Sequence, residues 1–198
     1  MTRSSAALCV ASGLLAAVAV AGCGTEREDE VLPPSPFLSS SSTTSASAEQ
    51  QAKDNARARV YEYVSGRNTV LSAPDQYLDT ASIGFAENRV ARGILAEAGD
   101  LRLAKHKLVG AAKLTRDPKP TTVDLEPKPS GGGTVSPYVQ VTGCIDESAT
   151  HLVDAKGNRV KNSQGPGPHP VRFHVSNRQW PNSTAWRIAW TKDLKGSC

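Results

Sequence analysis

The side chains that could carry chemistry are four cysteines (Cys9, Cys23, Cys144, Cys198), four histidines (His106, His151, His169, His174) and a scatter of carboxylates and phenols. There is no Cys-x-x-Cys pair, and no ligand histidine lies near Cys144 or Cys198, so these thiols lack the spacing of a redox couple or a zinc site. His169 and His174 are five apart, which in a strand points them to opposite faces. His106 and His151 have no partner at ligand spacing. No metal and no cofactor is expected. Gly131-Gly132-Gly133 lacks the Lys-Ser/Thr that a phosphate loop requires. No Ser-His-Asp arrangement can be argued, because each serine has a turn or linker explanation. What remains for the cysteines is modification and cross-linking.

Cys23 closes an N-terminal pattern. Arg3 is the only charge before an almost unbroken apolar run over residues 6–20, and Val20-Ala21-Gly22-Cys23 ends it. A basic start, an apolar core and small residues at the cut form an export signal. The run is shorter than the roughly 20 apolar residues of a membrane span, and it is apolar on every side, unlike an amphipathic core helix. The cysteine directly after Ala-Gly resembles the lipobox of a bacterial lipoprotein signal. That resemblance implies removal of residues 1–22 and lipidation of Cys23 as the new N-terminus, held at the extracytoplasmic face of the cell membrane. Cys9 then leaves with the signal and Cys23 carries lipid, so Cys144 and Cys198 remain as one pair. Outside the cytoplasm such a pair reads as a disulfide. Closing that loop is worth about 4 kcal/mol in the chain-entropy account.

The formal net charge is +4, or +3 once Arg3 is gone. This is too little to imply nucleic acid. It supports at most a weak attraction to anionic headgroups or acidic wall polymers, with Arg102, Lys105, His106, Lys107, Lys113, Arg116 and Lys119 as a solvated basic face. Residues 23–48 read as a tether: an acidic cluster (Glu26, Glu28, Asp29, Glu30), then Pro33-Pro34-Ser35-Pro36, then a Ser/Thr/Ala run. Residues 49–198 are the length of one domain.

Within that domain, Ala52, Ala56, Val60, Tyr63 and Val64 recur at helical spacing over residues 49–64, with Ser65-Gly66 as the stop. Pro74 opens a second helical stretch, which Ile83, Phe85, Val90, Ile94 and Leu95 continue or follow with another helix. The texture then changes to strands: residues 108–114, a short one at 121–126, 138–144, two around a Lys-Gly-Asn turn in 151–160, one carrying Val171, Phe173 and Val175, and one carrying Trp186, Ile188 and Trp190. Asp117-Pro118-Lys119-Pro120 and Glu126-Pro127-Lys128-Pro129 read as parts of a long proline-stiffened loop. Helices first and antiparallel strands after give an α+β fold, with helices packed on one face of a curved sheet.

The lipobox, the tether, the early Ala- and Tyr-containing helix, Cys144-Ile145-Asp146, residues 153–160 and the Trp-Arg-Ile-Ala-Trp strand with a C-terminal Cys resemble small lipoproteins of actinobacteria. The resemblance covers roughly residues 50–198. It implies the cone-shaped fold of nuclear transport factor two and ketosteroid isomerase. A cone of that kind can hold a ligand between sheet and helices, and an isomerase-like site in it would need a carboxylate base and a hydroxyl donor. Tyr61, Tyr63, Asp79, Asp146 and His174 are the candidates, with Tyr63 and His174 as the cleft-lining residues. Core packing accounts for Tyr63 and a turn for Asp146, so the leading expectation is not an enzyme. It is a non-catalytic binding or assembly module of the cell envelope, anchored by lipid on Cys23 and contacting another envelope protein. The alternatives are a carrier of a small apolar ligand, an exclusion lipoprotein of a phage or mobile element, and an isomerase- or dehydratase-type enzyme.

Overall fold

The computed structural model describes residues 47–128 and 135–198. The expected signal, Cys23, all of the tether up to residue 46 and Gly131-Gly132-Gly133 lie outside the described residues.

Helix α1 (Ala48–Ser72) starts at Ser47, whose hydroxyl accepts the Gln50 N–H at 3.2 Å and so satisfies one orphan donor of the first turn. Ala52, Ala56, Val60 and Val64, four apart, form its buried stripe. The helix does not stop at Ser65-Gly66, as the sequence suggests, but runs two further turns. Gly66 is there for space: a Cβ on it would lie 2.2 Å from Cε1 of the Phe85 ring. The polar residues around it stay helical because their side chains bond back along the helix, Ser65 Oγ to the Tyr61 carbonyl at 3.1 Å and Thr69 Oγ1 to the Ser65 carbonyl at 3.0 Å.

Pro74 opens a single 3-10 turn (Pro74–Gln76), not a longer helix, and Asp79 caps a second (Thr80–Ser82). Helix α2 (Asn88–Ala104) buries Ala91, Ile94, Ala98 and Leu101 against the end of α1, next to Val70, Leu71 and Ile83.

The strands are β1 (Lys107–Val109), β2 (Lys113–Leu114), β3 (Lys119–Asp124), β4 (Tyr138–Asp146), β5 (His151–Val153), β6 (His169–Asn177) and β7 (Trp186–Asp193). The expected strand over 108–114 is two strands in two sheets: β1 pairs with β5, and β2 pairs with β4. Gly110 makes the break, with φ +83 and a position where a Cβ would lie 2.1 Å from the Ala149 carbonyl oxygen. The first Pro-Lys-Pro copy is not a loop either. Lys119 and Pro120 begin β3, where Pro120 sits at a register shift in a strand with a partner on one side only. A residue without an N–H fits there and nowhere deeper in a sheet.

The larger sheet runs β2-β4-β6-β7, with β3 also on β4, and every pairing is antiparallel. Val139, Val141, Ile145, Val171, Phe173, Val175, Trp186 and Ile188 face α1 and form the core with its stripe. The architecture is the expected α+β arrangement of helices on one side of an antiparallel sheet. Cys144, next in register to the inward-facing Ile145, is joined to Cys198 with the two Cα atoms 6.0 Å apart. Among the described residues no helix is long and apolar enough to cross a membrane.

Candidate functional site

Tyr63 and Arg67 are one helical turn apart on α1 and share a face. Tyr63 is wedged edge-on between Phe85 (ring centroids 6.1 Å) and Phe173 (5.5 Å). Burial pushes its phenol above the ordinary range, and the Thr191 side chain hydrogen-bonds to it. Arg67 reaches α2 and the β4–β5 turn together: Nη2 and Nε donate to Glu97 at 2.7 and 3.3 Å, and Nη1 donates to Glu147 at 2.7 Å.

These residues end in a cleft of about 650 Å³ between α1, α2 and β7. Arg89, Gly93 and Glu97 line its α2 wall, and Trp190, Thr191 and Lys192 its β7 wall. Both acceptors near Arg67 are already bonded, so among the described residues the cleft holds no carboxylate free of an ion pair beside the Tyr63 phenol. Arg89 and Lys192 make no ion pair among the described residues. The cleft therefore presents the inward-facing Thr191 and a bare stretch of helix at Gly93, with the spare cations Arg89 and Lys192 at its borders. The Trp190 indole is turned to the other sheet face, against His174.

His174 is elsewhere. In the register of β6 it lies between the inward-facing Phe173 and Val175, so it points away from the helices. Its ring is stacked between Tyr138 (4.6 Å) and Trp190 (5.1 Å), and its buried Nδ1 has no hydrogen-bond partner among the described residues. Burial pulls its pKa below the ordinary 6.5, with the Glu87 carboxylate pulling the other way. Glu87 itself, at the start of α2, is partly buried, which alone would raise its pKa. Hydrogen bonds from Arg178 and Ser176 outweigh that and hold the carboxyl below its ordinary value.

The sequence candidates are thus dispersed. Tyr63 lines the cleft, and His174 occupies the opposite sheet face. Tyr61 donates to Asp117 at 2.5 Å on the surface. Asp79 caps a 3-10 turn, and Asp146 accepts the Ser148 N–H and hydroxyl in a turn. Among the described residues no three His, Cys, Asp or Glu side chains are grouped as a metal site. Sequence reasoning missed Arg67, Glu97, Gly93 and Trp190 as a set. The available signal was the spacing of Val90, Gly93, Ile94 and Glu97, which places a bare residue and a charge on a helix face beside an apolar stripe.

No protein-family model matches the chain, and no curated protein sequence matches it. Among solved structures it is similar to the crystal structure of the intermembrane space region of the chloroplast protein ARC6, with a TM-score of 0.47 and 16% identity over 73% of this chain and 97% of that one.

Proposed function

We propose that the protein is a lipid-anchored binding module at the extracytoplasmic face of the cell membrane, and that it holds another envelope protein in the cleft between α1, α2 and β7. The supporting observation is the cleft itself: an open recess between α2 and the edge of β7, bordered by two unpaired cations, Arg89 and Lys192, with its nearby carboxylates both spent on Arg67. An apolar carrier or an isomerase would need its chamber between helices and sheet. There the Tyr63 ring already packs against Phe85 and Phe173. The anchor rests on Cys23 in its lipobox-like setting.

The test is a photo-reactive residue placed in intact cells at Arg89 or Lys192, with Lys161 in the β5–β6 loop as control. A protein adduct of defined mass from the cleft positions alone supports the reading. Equal labelling at Lys161, or none anywhere, removes it. Native mass spectrometry of the membrane-extracted chain covers the carrier: a small molecule surviving loss of the anchor would replace the protein partner. Cys23→Ala should move the protein to the soluble fraction, and continued lipid labelling of that variant would end the anchoring argument.

A further inference from the structure

β7 is the terminal strand of the larger sheet, and its outer edge is only partly covered. The chain just before α2 lies along it: the Ile188 N–H donates to the Phe85 carbonyl at 3.0 Å, and the Glu87 N–H donates to the Ile188 carbonyl at 2.9 Å, as one parallel bridge. At Asn88 the chain turns into α2 and leaves the edge. On this edge, opposite to the one paired with β6, no strand among the described residues pairs with β7 beyond that bridge. The uncovered stretch, Trp190 to Lys192, forms one wall of the cleft, and α2 forms the other. A helix and an open strand edge facing each other across a groove can accept an extended peptide, whose backbone adds to the sheet while alternate side chains enter the cleft.

Two further observations fit such an occupant. Gly93 stands mid-helix, where glycine costs about 1 kcal/mol against alanine, yet a Cβ there would meet nothing within 4 Å. Unlike Gly66, it is not required by a neighbour in this chain, and its effect is to keep the groove wide. The charges around the groove also do not balance. Arg67 and Glu97 satisfy each other, whereas Arg89, Lys192 and the nearby Arg92 have no acidic partner among the described residues. Lysine on an open edge repels indiscriminate pairing, and the same charge selects an acidic strand.

We infer that the occupant of the cleft is an extended acidic segment of the partner protein, added as a strand to the outer edge of β7 opposite Gly93. This rests on the binding-module reading and names its ligand class.

The experiment uses the full-length chain and a synthetic octapeptide alternating Glu and Val, alongside the same peptide with alternate backbone nitrogens methylated. The plain peptide should bind and slow hydrogen exchange at the Trp190–Lys192 amides, while the methylated one should not. Gly93→Leu should abolish binding without lowering the unfolding midpoint. Arg89→Glu with Lys192→Glu should weaken it by about tenfold or more, as loss of charge complementarity does. No binding, or equal binding of both peptides, overturns the inference. Binding that appears only after Glu26, Glu28, Asp29 and Glu30 are replaced by Ser assigns the groove to the chain's own acidic stretch. A concentration-dependent dimer blocked by Gly93→Leu assigns it to a second copy. Either result also overturns the inference. Cleft-specific cross-linking of an envelope protein, together with failure of the peptide, would leave the binding module standing and remove only strand addition.

Discussion

Asn68 of α1 exchanges two hydrogen bonds with the backbone of Ala112: its Nδ2 donates to the Ala112 carbonyl at 2.8 Å, and its Oδ1 accepts the Ala112 N–H at 3.0 Å. The carboxamide thereby acts as a strand neighbour for the buried residue that joins β1 to β2. Asn68→Ala should cost about 1–3 kcal/mol, the range for stranding buried backbone groups. Asn68→Asp should also destabilise, because it keeps the acceptor and loses the donor. Urea unfolding with an unchanged slope would measure both, and an unchanged midpoint would show that the Ala112 groups find other partners.

Two helical glycines should respond in opposite directions to the same change. Gly93→Ala should stabilise by about 0.5–1 kcal/mol, because the helix gains propensity and nothing obstructs the methyl. Gly66→Ala gains the same propensity but drives a methyl into the Phe85 ring. A net loss of about 1–3 kcal/mol is expected from overpacking. Thermal melts of the pair decide it, and a stabilised Gly66→Ala would mean that Phe85 is free to move aside.

Stability should fall with acid in two stages. The folded chain binds a proton at His174 less readily than the unfolded chain does, so stability is constant above about pH 6.5 and drops as pH falls towards the lower folded value. Glu87 adds a second loss below about pH 4.5, as its favourable bonds to Arg178 and Ser176 are protonated away. His174→Phe keeps an aromatic ring in the stack and cannot titrate, so it should flatten the first stage and leave the second. An unaltered profile between pH 6.5 and 5 would show that His174 is not the group responsible.

Replacing Cys144 and Cys198 together by Ala should lower stability by about 2–4 kcal/mol, read from guanidinium midpoints. Peptide mapping without reductant should recover the two as one linked fragment. Free thiols at both positions would show that the C-terminal segment is not held to β4.

The parts of this fold that were legible in the sequence are those where one physical signal dominates. Ala52, Ala56, Val60 and Val64 marked α1, and the alternation at Val171, Phe173 and Val175 marked β6, because apolar periodicity reflects burial directly. The class followed from the order of such segments. Local signals failed where tertiary contacts overrule them. Gly66 looks like a helix stop until Phe85 is known to lie on it. Pro120 looks like a loop residue until β3 is known to be an edge. The candidate site was less legible. Tyr63 is legible, but its neighbours Glu97 and Thr191 come from α2 and β7, and no spacing in one chain segment shows that they meet. His174 was placed on the polar strand face, yet which way that face looks depends on register, which the sequence leaves open.

α1 precedes every strand it packs on. Its small buried residues, Ala52 and Ala56, have no surface to meet until β4 and β6 exist, and Trp186 and Ile188 of β7 complete that surface. A chain made from its N-terminus must therefore carry this helix without its partners for most of its synthesis. Because the stripe begins with alanines, the waiting helix exposes little that is sticky. A nascent chain halted before Trp186 lacks the core's largest side chain, so the core can close only once β7 has been made.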